Sequence, residues 1–342
     1  MSTQLELQHT DPSKLTRKDF ETDQEVRWCP GCGDYSILAQ VQRAMPTFGV
    51  PKENYVFVSG IGCAARFPYY MNTYGLHTIH GRAPAVATGV KLANPGLDVW
   101  VVGGDGDFLA IGGNHLFHAL RRNVGLKLML IDNHIYGLTK GQFSPTSELG
   151  KKTKSTPFGS VDAPVNPLSF ALGCGATFVA QAAATDPKGM QEVLKRAHEH
   201  QGAALVVILQ NCNIFNDGAF DRFTDKASKE DTVLRLEHGK PLRYGKDLAK
   251  GLMVDETGAL RIVDVAEVGE SRLLVHDETS DNVAHLLAQL DGHDGPGPFG
   301  VLRAVSRPTF ESLVTEQVET AKAGKKVTVR DLMTKGRSWI VS

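Results

Sequence analysis

The sequence predicts an α/β protein built on a doubly wound, mostly parallel sheet, and three observations carry that expectation. Val56–Val58, Val99–Val102, Leu126–Ile131 and Leu205–Leu209 are short apolar runs of strand length. Around them, Asp34–Met45, Ala85–Leu92, Ile111–Leu120 and Pro187–His200 read as helices. Strands covered on both faces are apolar throughout, and alternation of strand with helix marks a parallel sheet. Finally, Gly60–Cys63, Gly103–Asp107, Asp132–Leu138 and Asn211-Cys212 each follow a strand run. Such sheets bind ligands at the carboxyl ends of their strands, so one composite site is expected there.

Each element has a local reason. Ile37, Leu38, Val41 and Met45 recur at helical spacing. Ser59-Gly60 stops the first strand, and Pro84 suits the first turn of the helix that follows. Residues 1–28 form a polar arm without a period. Residues 29–223 hold the motifs and are read as the cofactor-binding domain. Gly141–Pro167, rich in Ser, Thr, Pro and Lys, reads as a long loop of the kind that often serves as a lid. Beyond Thr224 the chain turns charged, with a Gly-Pro segment at Gly292–Gly300 and a Lys-rich run at 322–326. Residues 224–342 are read as a partly ordered extension that docks a partner subunit. No internal repeat is evident.

Composition narrows the function classes. Across 342 residues, 37 basic side chains meet 38 acidic ones, a net charge of −1, which argues against a nucleic-acid-binding surface as the main purpose. No run of roughly 18 apolar residues suggests a membrane span. The polar start lacks the apolar core of a secretory signal, so the expected address is the cytoplasm. Five cysteines, two of them in a C-x-x-C, point to metal or redox chemistry rather than a disulfide framework.

Gly103-Gly104-Asp105-Gly106-Asp107 feeds a helix start, a natural anion site. A Rossmann loop, with Asp132 as its ribose acid, fits poorly. Leu109 stands where the last glycine belongs, and Asp105 would repel a bare pyrophosphate. A divalent cation between them reverses that sign. Mg²⁺ takes one or two carboxylates plus phosphate oxygens and water, and Asp105, the Asn133 amide and a backbone carbonyl of Asn133–Ile135 would supply protein ligands. Gly-Asp-Gly, then 26 residues, then Asn matches the thiamine diphosphate motif. The plainer alternative is an ordinary turn and a strand-end Asn.

Trp28-Cys29-Pro30-Gly31-Cys32 admits a redox dithiol, a zinc site or an iron–sulfur cluster. Cys63 and Cys212 also fall at strand ends, on the rim of Asp105 and Asn133. A metal centre beside a thiamine site makes sense as an electron acceptor, which favours the cluster; zinc and dithiol remain the alternatives. Cys174, in an apolar segment, reads as a buried thiol.

Together, WCPGCGDYSIL, GIGCAARFPYYMNTYGLHTIHGRAPAVATGVKLA, GGDGDFLAIGGNHLFHALRRN and DNHIYGLTKGQFSPTS resemble the β subunits of 2-oxoacid:ferredoxin oxidoreductases. The resemblance covers residue 29 to about 223. Pro68–Ala93 and Tyr136–Ser147 look most like the 2-oxoglutarate members. It implies the diphosphate-binding half of a thiamine diphosphate-binding fold. Cys29, Cys32, Cys63 and Cys212 match the ligands of one [4Fe–4S] cluster. Asp105, Asn133 and the Ile135 carbonyl match those of Mg²⁺. Ile61, Gly62, Cys63, Ala64, His80, Gly81, Arg82, Ala83, Gly104, Gly106, Asp107, Tyr136, Gly137 and Leu138 match positions lining thiamine diphosphate. Arg66 and Lys140 match basic positions near the substrate carboxylates, and Leu138 the substrate pocket. Many relatives carry Ser at Ala64 and Ala65. Tyr69, Tyr70 and Tyr74 are read as packing residues, and His80 as a diphosphate donor or a structural helix-start histidine.

The implied activity is coenzyme A-dependent oxidative decarboxylation of 2-oxoglutarate to succinyl-CoA and CO₂, or the reverse reductive carboxylation, with electrons passing to ferredoxin. Pyruvate or broad 2-oxoacid use is the nearest alternative. A non-oxidative thiamine decarboxylase subunit and a zinc-stabilised scaffold are the remoter ones. The carboxylate that thiamine enzymes set against the aminopyrimidine is not found in this chain. The resemblance assigns it to a separate α subunit, in an α₂β₂ heteromer inactive without it.

Overall fold

The computed structural model describes residues 10–290, 295–324, 328–334 and 339. Parts of the Gly292–Gly300 and 322–326 segments lie outside them. The strands are β1 (Tyr55–Ser59), β2 (Tyr74–His77), β3 (Asp98–Gly104), β4 (Leu126–Asp132), β5 (Phe178–Ala183), β6 (Ala204–Leu209), β7 (Val233–Arg235), β8 (Arg243–Tyr244), β9 (Lys250–Val254), β10 (Leu260–Asp264) and β11 (Gly297–Ala304). Eight of them form one sheet in the order β2-β1-β3-β4-β6-β5-β11-β7, and β8, β9 and β10 form a small antiparallel sheet. Within the large sheet every pairing is parallel except β5 with β11.

Helices cover both faces, as continuous apolar strands require. Val58, Val101, Leu128, Leu130, Leu205 and Val207 face a core closed by α2 (Ala83–Ala93), α3 (Gly113–Arg121), α4 (Pro167–Gly173) and α6 (Asp281–Ala288). Phe57, Trp100, Val102, Met129, Val206 and Ile208 face a second core under α1 (Asp34–Ala44) and α5 (Pro187–Glu199). Trp100 is fully buried, and its indole N–H donates to Asp98 at 3.1 Å, so its apolar area is buried without orphaning a donor. A fully buried side chain of this kind contributes roughly 1.5–3 kcal/mol.

Three expectations shift. The helix expected from Ile111 begins at Gly113, because Gly106–Ile111 is a π-helical turn, a rare form concentrated at functional sites. The supposed lid is anchored inside, with Ser144, Thr146 and Ser147 near its start and Ser160 near its end all buried. Most consequentially, the C-terminal third is built into the sheet. β11 lies between β5 and β7, and Asn123 donates to the carbonyls of Arg307 and Pro308 at 2.9 and 3.1 Å. Thr309 then caps α7 (Phe310–Lys322), whose Glu311 accepts from Gly125 N–H at 3.1 Å.

A chain ended at Thr224 loses β11 and leaves the edge of the fully buried β5 unpaired. The expected outcome is loss of cooperative thermal unfolding and aggregation of the fragment. A soluble fragment with a sharp transition would show the C-terminal third to be dispensable for the core.

Candidate active site

A cleft of about 100 Å³ opens at the carboxyl ends of β1, β3 and β4. Ile61, Gly62, Cys63 and Ala64 line it from the β1 side, Gly104, Asp105, Gly106 and Asp107 from β3, and Asn133, Ile135, Tyr136, Gly137 and Leu138 from β4. His80 completes the expected wall. Asp34, Ile131 and Thr139 also line it; Asp34 and Thr139 fall inside the motifs that carry the resemblance with no role assigned to them there, and Ile131 reads only as a strand residue. Gly81, Arg82 and Ala83 stand behind His80 rather than in the wall; Arg82 donates to the Ile111 carbonyl at 3.2 Å. Arg66 and Lys140 do not line the cleft either. The Arg66 Nε donates to the Tyr70 hydroxyl at 3.0 Å, and Lys140 is exposed with φ 76°, a strained backbone for a non-glycine residue.

Asp107 organises the loops. Its Oδ1 accepts from Ile61 N–H at 3.1 Å and Gly81 N–H at 2.7 Å, and takes the His80 Nδ1 contact at 2.5 Å. Its Oδ2 is buried without a partner. Gly60 is required beside it, since a Cβ there would stand 2.0 Å from Oδ2. His80 is thereby fixed by its Nδ1, which leaves Nε2 available to the cleft.

Asp105 is buried to 3% exposure beside Asp132 at 1%. Burial, then the neighbouring Asp132 charge, raises its pKa above the ordinary carboxylate value. Among the described residues no ion pair reaches Asp105. Asp132 instead faces His134 Nε2 at 3.6 Å. Burial pulls His134 down, but Asp132 and the Glu148 hydrogen bond outweigh it and push the imidazole up to about 9. A buried carboxylate without a direct ion pair, in a wall it shares with Asn133, suits a hard divalent ion.

Four of the five thiols gather at the neighbouring rim. A Cβ on Gly137 would lie 3.5 Å from the Cys63 sulfur and 3.6 Å from that of Cys212, so the absence of a side chain here lets the cleft loop pack directly against the thiols. The Trp28 indole donates to the Cys63 carbonyl at 2.8 Å, the Asn213 amide to the Pro30 carbonyl at 2.7 Å, and the Gln210 amide to the Cys32 sulfur at 3.1 Å. These bonds draw the Cys29–Cys32 loop onto the Cys212 turn. Burial, then the nearby Asp34, raises the Cys32 thiol pKa and pushes that of Cys63 up to about 12. Burial likewise pushes Asp34 up to about 7, and its Oδ1 has no partner. Among the described residues, no three His, Cys, Asp or Glu side chains close on one point as a shell for a single ion. Cys174 is buried away from this group, in the core under α4.

Asn216 joins the two regions. Its amide donates to the Asn133 carbonyl at 2.9 Å, its backbone N–H to the Cys212 carbonyl at 2.9 Å, and its Oδ1 accepts from Lys151.

The fold and cleft define a class. The C-terminal TPP-binding domain of thiamine pyrophosphate enzymes matches residues 60–208, which run from the end of β1 into β6. The 2-oxoglutarate oxidoreductase subunit KorB of Mycobacterium tuberculosis is 52% identical over 89% of this chain and 82% of its own length. A 2-oxoacid:ferredoxin oxidoreductase β subunit of a Sulfolobus species is 48% identical over 60% of this chain and 68% of its own. Among solved structures, a 2-oxoglutarate:ferredoxin oxidoreductase from Magnetococcus marinus, with 2-oxoglutarate, coenzyme A and succinyl-CoA bound, superposes with TM-score 0.76. It is 35% identical and covers 94% of this chain and 95% of that one. The chain belongs to the family of 2-oxoacid:ferredoxin oxidoreductase β subunits.

Gly106 in the wall and Gly89 in a helix outside it contrast a crowded glycine with an open one. A Cβ on Gly106 would meet the Tyr136 ring at 2.1 Å, whereas one on Gly89, in α2, would meet nothing within 4 Å. Gly106→Ala is expected to cost about 1–3 kcal/mol in urea unfolding. Gly89→Ala is expected to gain roughly 0.5–1 kcal/mol.

Proposed function

We propose that this chain is the β subunit of a 2-oxoglutarate:ferredoxin oxidoreductase. With a separate α subunit it converts 2-oxoglutarate and coenzyme A to succinyl-CoA and CO₂, or runs the reductive reverse, and exchanges electrons with ferredoxin through one [4Fe–4S] cluster. The observation that carries the redox part is the position of Cys63: it lines the cleft, and its sulfur and that of Cys212 both lie within 3.6 Å of the Cβ position of Gly137. Each cysteine of such a cluster binds its own iron, so four sulfurs gather around a volume without closing on one point. The 2-oxoglutarate assignment draws on the names of the Mycobacterium and Magnetococcus relatives.

The residues fit the absent groups. Asp105, the Asn133 amide oxygen and the Ile135 carbonyl would hold Mg²⁺, and Cys29, Cys32, Cys63 and Cys212 the cluster. Gly104, Gly106 and Gly137 would contribute backbone to a diphosphate site, with Ile61, Gly62, Ala64, Tyr136 and Leu138 around it. Bound thiamine diphosphate would supply the electron sink that decarboxylation of a 2-oxoacid needs. Asp107 holds the Ile61 and His80–Gly81 segments at a fixed spacing, and His80 presents Nε2 to the diphosphate. Arg66 and Lys140 sit outside the wall, where they meet the carboxylates of an arriving dianion; each such charge-assisted bond is worth roughly 1.5–3 kcal/mol.

The aminopyrimidine carboxylate comes from the α subunit in this reading, in an α₂β₂ assembly. Ile79, Ile111 and Leu138 are 73%, 53% and 50% exposed near the cleft, an apolar rim suited to that neighbour. Residues 29–223 carry the cofactors, 224–342 contribute to docking, and the assembly works in the cytoplasm. No helix among the described residues is long and apolar enough to cross a membrane.

Anaerobic electron paramagnetic resonance of the chain purified with its partner tests the reading. Dithionite is expected to give a reduced-cluster signal, and 2-oxoglutarate added without coenzyme A to give cluster reduction. Cys212→Ser is expected to lose the signal, and Asp105→Asn to retain it while losing bound thiamine diphosphate. Reduction by pyruvate alone would change the substrate, and zinc in place of iron would sink the redox assignment.

A further inference from the structure

We propose that Thr146 is the positioning residue of the metal-binding carboxylate: its hydroxyl fixes Asp105 so that one oxygen of the carboxyl group is presented to a divalent cation. The inference rests on the Mg²⁺ site proposed above. Thr146 lies in the Ser/Thr-rich loop after β4, 41 residues from Asp105 in sequence, and is 3% exposed. Its Oγ1 stands 2.7 Å from Asp105 Oδ2 and 2.8 Å from Asp132 Oδ1. A short hydroxyl contact of this kind at a carboxylate is charge-assisted. It sets the rotation of a side chain that is itself only 3% exposed.

The loop that delivers Thr146 is itself held. Ser147 Oγ donates to the His134 carbonyl at 2.5 Å, Ser144 N–H donates to Ser147 Oγ at 2.8 Å, and Lys151 bonds Asn216. Ser144 Oγ is 3.4 Å from Thr146 Oγ1, too long for more than a weak contact. The hydroxyl has one proton to give: Asp132 Oδ1 already accepts the His134 N–H at 3.2 Å and its other oxygen faces the His134 ring, so the Thr146 proton is available to Asp105 Oδ2. Asp132 is thus held by His134 on both oxygens. Thr146 engages Asp105 at Oδ2, with the Ser144 side chain also at that carboxylate, and Oδ1 is the atom presented to a cation. Partners of metal ligands that act through hydrogen bonds in this way typically affect metal affinity by about 10–100-fold.

The test uses the chain in complex with its partner subunit, stripped of metal and thiamine diphosphate. It is titrated with Mn²⁺ in the presence of thiamine diphosphate, with free Mn²⁺ read by electron paramagnetic resonance. Thr146→Val is expected to raise half-saturation by about 10–100-fold with the number of sites unchanged, and Thr146→Ser to stay near wild type. If the valine variant does not assemble, Thr146→Ser and Thr146→Ala, differing by the hydroxyl, make the same comparison. Unchanged affinity in Thr146→Val, or equal losses in the serine and alanine variants, would overturn the inference. Asp105→Asn separates the two levels: if it leaves Mn²⁺ binding intact, the Mg²⁺ site itself falls. If it abolishes binding while Thr146→Val does not weaken it, the positioning role alone falls.

Discussion

Oδ1 of Asp107 accepts from the backbone of Ile61 and Gly81 and contacts the His80 imidazole, and the cleft depends on that convergence. Three segments that leave the sheet at different places would otherwise have no fixed spacing. The π turn Gly106–Ile111 brings Asp107 inward, and glycine at 60 and 103 makes room for it: a Cβ at either would come within 3 Å of Asp107 Oδ2. A fully buried carboxylate with three partners on one oxygen tolerates little displacement, because any lost partner leaves charge in a dry site. The cost of the π turn, which breaks the regular helical ladder, is thus offset where it positions the chemistry.

The cleft borders the thiols through the segment 132–138. Cofactor loop and thiol turn share Gly137 and are tied by Asn216, which holds Asn133 with its side chain and Cys212 with its backbone. In the proposed enzyme Cys63, a cluster ligand, would itself border the cofactor cleft.

Much of this was legible in the sequence because it is local. Apolar strand runs, and glycines and acids placed just after them, put Asp105, Asn133 and Cys63 at one sheet edge before any contact is known. What the sequence hid is relational. Thr146 looks like any hydroxyl in a Ser/Thr-rich loop until the fold buries it against Asp105, and Asp34 reads as a helix-start residue until it faces the cleft. Phe178–Ala183 went unmarked because half of it is alanine and Gln181 interrupts the apolar run. β11 was hidden for another reason. Its glycines and Pro298 argue for a loop, yet it enters the sheet with an irregular register between Val301 and Arg303. Arg66 and Lys140 were marked by resemblance, and nothing in their local sequence says they would stand outside the wall.

The position of β11 also sets an order on synthesis. All five cysteines and both expected metal-binding side chains, Asp105 and Asn133, are made by residue 212, while the strand that covers β5 ends at Ala304. At ribosomal speeds of about 5–20 residues per second, the chain between β6 and the end of β11 takes roughly 5–20 s to appear. During that interval the thiols can already meet, but an apolar strand edge stands open to any neighbouring chain. The nascent protein therefore has a window of vulnerability that the finished one lacks, and rapid emergence or chaperone cover of residues 178–304 becomes part of how this fold is obtained.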